Sequence, residues 1–168
     1  HQGKAVEAWE TSGRHGILAI ATGGGKTISS LIAATRLQDE LGRLFIVVSA
    51  PYRPLVTQWC EEARRFGVTP IHFQSAEAGA QELEDAKLAI ESGHSRAEVA
   101  VITVARLNDP SFREFLNDVS TRFPILLIAD EVHNLGAPGF AYNPAEQFEY
   151  RLGLSATPIR QYDAEGTD

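Results

Sequence analysis

Residues 17–27 read Ile-Leu-Ala-Ile-Ala-Thr-Gly-Gly-Gly-Lys-Thr, and no other stretch restricts the fold so tightly. The apolar run 17–21 is short and strand-like. It stops at Thr22, and three glycines, Lys26 and Thr27 follow. The next residues, Ile28-Ser29-Ser30-Leu31-Ile32-Ala33-Ala34, suit a helix. Strand, glycine loop and helix in that order form an anion cradle. Gly23, Gly24 and Gly25 let the backbone turn and bring bare N–H groups against phosphate oxygens. The first helical turn adds unpaired N–H donors and the positive end of its dipole. Lys26 brings an ammonium to β- and γ-phosphates, and the Thr27 hydroxyl can ligate Mg2+. The full pattern G-x-x-x-x-G-K-[ST] asks for glycine at position 20, where this chain has Ile20. The match is therefore to its tail, G-x-G-K-T. From this motif alone, a glycine-rich turn with an incidental lysine stays open.

The rest of the chain repeats the alternation. Residues 1–12 suit a short amphipathic helix with Ala5, Val6 and Trp9 on one face. The helix after the glycines runs to about Glu40. Its apolar face is Ile28, Leu31, Ile32, Thr35 and 37–41, with Gly42 as its C-cap. Strands are predicted at 44–48, 71–73, 99–104, 125–129 and 150–154. Between them fall a helix from Pro54 to about Phe66, with Leu55, Trp59 and Ala63 on one face, and a polar helix over 77–91. The polar helix is anchored by Leu83, Leu88 and Ile90 and closed at Gly93. A further helix over 110–121 turns Phe112, Phe115, Leu116 and Val119 inward. Residues 136–143 read as a loop, and the last ten residues are polar. Strands alternating with helices imply an α/β domain with a mostly parallel sheet.

Composition narrows the class. A chain of 168 residues is long enough for one domain with a full core. With 43% hydrophobic and 22% charged residues it reads as a soluble globular protein. No apolar run reaches membrane-spanning length, so no membrane partner is expected. Cys60 is the single cysteine, which excludes an internal disulfide and a cysteine zinc site and fits a reducing, cytoplasmic setting. A net charge of −7 argues against a basic surface throughout and leaves room for a local basic strip. The chain starts at His1 rather than methionine, so a fragment or processed protein is expected.

Two more clusters carry chemistry. Asp130-Glu131 and His133 follow the fifth strand, and in an open parallel sheet ligands collect at the carboxyl ends of strands. Asp130 there can face a Mg2+ held by Thr27. Glu131 could orient or deprotonate a water that attacks the γ-phosphate. Alone, this pair is equally an acidic strand end. Ser155-Ala156-Thr157 ends the sixth strand, and alone it is ordinary turn or cap chemistry. At the same sheet edge, Ser155 and Thr157 could bond the Asp130 and His133 group.

Together, Thr22-Gly23-Gly24-Gly25-Lys26-Thr27, Asp130-Glu131-Val132-His133 and Ser155-Ala156-Thr157 resemble motifs I, II and III of superfamily 2 helicases. The closer likeness is to the DExH/DEAH branch with type III restriction-enzyme motor subunits and excision-repair-type helicases. Residues 151–158, Arg-Leu-Gly-Leu-Ser-Ala-Thr-Pro, are especially like that branch. The resemblance covers essentially the whole chain. It implies a RecA-like P-loop domain, a mostly parallel sheet flanked by helices on both faces, over residues 1–168. It implies ATP and Mg2+ as cofactors and nucleic acid as partner, with DNA favoured over RNA.

The resemblance also gives residues their roles. Gln2 would read adenine. Thr22, Gly23, Gly24, Gly25, Lys26 and Thr27 would hold the nucleotide, and Thr27 and Asp130 the metal. Lys26, Asp130 and Glu131 would be catalytic. His133, Ser155 and Thr157 would couple nucleotide state to nucleic-acid grip. Ser49-Ala50-Pro51, with Arg53 and Gln58 beyond, looks like motif Ia, and Pro51, Arg53 and Thr103 would contact nucleic acid. The strand bearing Ser155 is expected between the cradle strand and the Asp130 strand. Relatives hydrolyse ATP between two RecA-like domains, and a second such domain of the same parent is the expected partner. The chain alone is expected to bind nucleotide weakly and turn it over slowly or not at all. Two other classes remain: a nucleotide-gated nucleic-acid-binding switch without motor activity, and a P-loop kinase. The kinase is disfavoured because Arg160 is the only basic residue after the sixth strand.

Overall fold

The computed structural model describes residues 2–11, 13–14, 17–19, 25–72, 76–131 and 148–155. Their elements are α1 (Gln2–Thr11), β1 (Ile17–Ala19), α2 (Gly25–Leu41), β2 (Leu44–Ala50), α3 (Arg53–Arg65), β3 (Ile71–His72) and α4 (Ala76–Glu91). After them come β4 (Ala97–Thr103), α5 (Val104–Leu107), α6 (Pro110–Ser120), β5 (Ile125–Ala129) and β6 (Tyr150–Ser155). The six strands form one sheet in the order β1-β6-β5-β2-β4-β3, and every pairing is parallel. β6 therefore lies between the cradle strand and the strand leading to Asp130, as expected. Its Ser155 is in register with Ala19 of β1.

β2 and β5 are buried at every position, which is why both read as unbroken apolar runs. Alternation along them divides the core. Ile46, Val48, Leu126 and Ile128 pack with Val6, Trp9, Ala33, Leu37, Val56 and Trp59 on the face covered by α1, α2 and α3. Phe45, Val47, Ile125 and Leu127 pack with Leu83, Ile90, Phe112 and Leu116 on the face covered by α4 and α6. Parity puts Asp130 on the first face, with Ile128. Trp9 fastens α1 across this layer: its indole Nε1 donates to the Arg151 carbonyl at 2.8 Å.

Two predicted faces are corrected. α2 buries Thr27, Ser29, Ser30, Ala33, Ala34 and Leu37, whereas Ile28, Leu31 and Ile32 are half-buried and Thr35 is exposed. Small side chains let this helix lie close against the sheet. Ile28, Leu31 and Ile32 line a groove with Phe66, Val68 and Val99. In α4, Leu83, Ala86 and Ile90 point inward, while Leu88 is 54% exposed. Leu88 falls on the other side of the helix from that i, i+3, i+7 stripe. The predicted strand 99–104 is also corrected: β4 ends at Thr103, and α5 begins at Val104, where Thr103 accepts the Arg106 N–H at 3.2 Å. The predicted loop at 136–143 lies outside the described residues. No described helix is long and apolar enough to cross a membrane.

Candidate functional site

A parallel sheet gathers all its strand C-termini at one edge, and that edge holds the site. Gly25, Lys26 and Thr27 form the first turn of α2. Asp130 and Glu131 follow β5 directly. The Asp130 N–H donates to the Ser49 carbonyl at 2.8 Å, which ties this turn to β2. The backbone at Glu131 adopts a positive φ of 52°, a left-handed conformation that costs a side-chain-bearing residue energy.

Lys26 and the acidic pair meet. Lys26 Nζ lies 2.9 Å from Asp130 Oδ1 and 3.0 Å from Glu131 Oε2. Asp130 is 1% exposed, so its charge is compensated by direct partners. The second partner was not legible as such: the Trp59 indole Nε1 donates to Asp130 Oδ2 at 2.7 Å. Trp59 read from sequence as a core anchor of α3, and it is one, at 3% exposure. A buried indole still needs an acceptor for its N–H, and that was the available signal. Burial alone would draw the Lys26 pKa down. The hydrogen bonds and charges of Asp130 and Glu131 outweigh it, and the ammonium titrates above the ordinary lysine value.

Thr27 is also held from α3. Its hydroxyl donates to Glu62 Oε1 at 2.5 Å, and Glu62 Oε2 accepts from Gln58 Nε2 at 3.3 Å. Glu62 had no sequence signal beyond its place one turn after Gln58. These residues fit a magnesium–triphosphate ligand. A helix N-terminus and a lysine face a buried carboxylate, and a buried hydroxyl stands beside them. Among the described residues no cluster of three or more His, Cys, Asp or Glu side chains is shaped to hold a metal unaided.

The other predicted residues divide by location. Pro51 and Arg53 flank the end of β2, and Thr103 ends β4 opposite Ala50. All three share the site edge, with Arg53 exposed. The Thr103 hydroxyl is occupied as the α5 N-cap. Gln2 lies in α1 and Ser155 in β6 by their backbones. The side chains of Gln2 and Ser155, and all of Thr22, Gly23, Gly24, His133 and Thr157, lie outside the described residues.

Comparison with known proteins follows the same line. A family model described as "Type III restriction enzyme, res subunit" matches residues 1–160. A putative DNA 3'-5' helicase Rad25 of Halobacterium salinarum is 29% identical over 150 residues, covering 89% of this chain and 22% of that protein. The ATP-dependent RNA helicase vasa of Drosophila melanogaster is 32% identical over 132 residues, covering 75% of this chain and 20% of that protein. Among solved structures, the Pyrococcus furiosus Hef helicase domain superposes with a TM-score of 0.62 at 23% identity, over 94% of this chain and 32% of that one. The type ISP restriction-modification enzyme LlaGI, in complex with a DNA substrate mimic, gives 0.66 at 21% identity, over 94% and 17%. This chain thus spans about a fifth of the length of those two curated relatives.

Proposed function

The chain belongs to the type III restriction enzyme res-subunit family, as a first RecA-like domain of the superfamily 2 helicase type, and from that premise we propose that it is the ATP-binding half of an ATP-dependent nucleic-acid helicase or translocase. The observation that carries this reading is the Lys26 ammonium seated between Asp130 and Glu131, 2.9 and 3.0 Å away. A lysine in the first turn of a helix and two carboxylates from a distant part of the chain converge on one point.

Gly25, Lys26 and Thr27, with Thr22, Gly23 and Gly24, would hold the triphosphate, and Gln2 the adenine. Thr27 and Asp130 would hold Mg2+, which when bound neutralises charge shared by the β- and γ-phosphates. Lys26 exchanges its carboxylate partners for phosphate oxygens. Glu131 orients the attacking water and accepts its proton. The chain contributes positioning and electrostatic stabilisation, with no covalent intermediate. His133, Ser155 and Thr157 would relay nucleotide state to the nucleic acid, which Pro51, Arg53 and Thr103 would contact at the same edge.

DNA is favoured over RNA. Support comes from a relative and a solved structure whose names specify DNA, while vasa is named for RNA. A cytoplasmic location would suit Cys60, the single cysteine, which is free and buried. A second RecA-like domain of the parent would close over the nucleotide.

The test is Glu131→Gln in the parent protein. A motor loses ATP turnover by about 100-fold or more while retaining ATP. A nucleotide-gated switch module keeps its nucleic-acid response to ATP in that variant. Unchanged turnover would remove Glu131 from its assigned role.

A further inference from the structure

We propose that Trp59 and Glu62, on α3, are positioning residues of the nucleotide site: they aim the metal-facing groups of Asp130 and Thr27. The inference rests on the reading of Lys26, Thr27 and Asp130 given above and extends it to a helix that carries no residue of that site.

The chemistry of each contact sets a direction. Indole N–H can only donate, so Trp59 fixes Asp130 through Oδ2 at 2.7 Å. Rotation of the carboxylate would break that buried bond, and an unmade indole hydrogen bond there is costly. Oδ1 is therefore turned toward Lys26 and the strand edge. An ionised carboxylate only accepts, so in the Thr27–Glu62 bond at 2.5 Å the Thr27 hydroxyl keeps its hydrogen and points it at Glu62 Oε1. With that hydrogen committed, Thr27 Oγ1 has only lone pairs left to offer elsewhere, the orientation a cation requires. Gln58 steadies Glu62 from one turn earlier through Oε2.

α3 can do this because of where it sits. Trp59 and Glu62 are three residues apart and share a face of the helix. Val56, Cys60 and Ala63 bury the adjoining stripe in the core. One rigid helix thus registers two site residues that belong to different elements, α2 and the turn after β5. The same helix begins at Arg53, the proposed nucleic-acid contact. A shift of α3 on binding nucleic acid would reach both Asp130 and Thr27 at once.

The experiment measures ATP affinity of the chain by titration calorimetry, once with Mg2+ and once with EDTA. The ratio of the two dissociation constants isolates the metal-dependent part of binding. Partners of metal ligands are worth about 10–100-fold in metal affinity when removed. Trp59→Phe keeps the ring in the core and loses the N–H. Glu62→Ala removes a partly exposed side chain and leaves the core intact. Each is expected to shrink the Mg2+ advantage about tenfold while the affinity in EDTA stays near that of the wild type. Glu62→Gln, which retains a carbonyl acceptor for Thr27, should restore much of the loss.

Equal weakening under both conditions indicates mere packing and overturns the inference, as does an unchanged ratio in both Trp59→Phe and Glu62→Ala. A larger Mg2+ advantage in Glu62→Ala would make Glu62 a competitor for Thr27 and overturns it too. If Trp59→Phe fails to melt cooperatively, the Glu62 pair decides alone. Wild-type chain that binds ATP without any Mg2+ advantage sinks the metal reading itself. A normal wild-type advantage that both variants retain sinks only the role of α3.

Discussion

Glu131 is a residue under local strain at a place where chemistry is proposed. Its φ of 52° is a conformation that glycine adopts freely and that a Cβ penalises. The carboxylate meets the Lys26 ammonium from this position, so the strained backbone holds the general-base candidate beside the phosphate-binding lysine. Comparing Glu131→Gly with Glu131→Ala isolates the strain, since both variants lose the same carboxylate and the same ion pair. In an ordinary helix or strand glycine is the less stable of the two. Here the order should reverse, with the glycine variant more stable by about 1 kcal/mol, as read from urea unfolding. An alanine variant as stable as the glycine variant would mean the backbone relaxes and stores nothing. The strain could not be seen in the sequence, because a D-E pair looks the same in any backbone conformation. That Lys26 and the Asp130–Glu131 pair meet at one sheet edge was legible, because strand, helix start and strand-end carboxylates each have a composition that fixes their place in a parallel sheet, whereas their direct ion pairing was not. Trp59 and Glu62 were not: side-chain hydrogen bonds across helices leave no periodic trace.

At the scale of elements, strands were the more legible. β5 falls at 125–129 as predicted, because β-branched and aliphatic residues buried on both faces give an unbroken apolar run. Helix faces were less so, since α2 meets the sheet through serine, alanine and Leu37 while Ile28, Leu31 and Ile32 line a groove. Hydrophobicity marks what a helix carries, and steric fit decides which side approaches a sheet. Charge also joins elements in a way that pattern does not reveal. Lys87 of α4 reaches Asp118 of α6 at 2.8 Å. Arg122 just beyond α6 bonds the same aspartate at 3.3 Å and also pairs with Glu91 of α4. The Lys87 and Arg122 contacts hold the Asp118 carboxyl below its ordinary value of 3.8. A carboxyl depressed in the folded state stabilises the fold above its unfolded pKa and loses that contribution as pH falls through the folded one. Asp118→Asn should therefore be less stable than wild type at neutral pH, and the two denaturation midpoints should converge in strong acid. The group is exposed, so the gap will be small and will narrow in salt. A gap that persists undiminished below the carboxylate range would assign the effect to packing of the α4–α6 seam.

For the molecule as a whole, the proposed chemistry has an electrostatic account that one sheet edge leaves open. The described site brings one cation, Lys26, and pairs it with two carboxylates. Charge on a transferring phosphoryl group spreads over its equatorial oxygens, and in phosphoryl-transfer enzymes of this kind an arginine brought from another surface is worth about 10³–10⁵ in rate. The chain spans about a fifth of the length of its curated relatives, and the proposed second RecA-like domain is the natural source of that arginine. Binding and turnover should then separate. The 168-residue chain should bind ATP through Lys26, with Lys26→Ala abolishing the calorimetric signal, yet hydrolyse it slowly. A longer protein that joined this chain to the proposed second domain should turn ATP over at least about a thousandfold faster, with nucleic acid raising the rate further. Steady-state phosphate release from the two proteins, each at saturating ATP, makes the comparison. If the isolated chain matched the parent, every group needed for hydrolysis would have to reside on this sheet edge, and a partner domain would have no catalytic part to play.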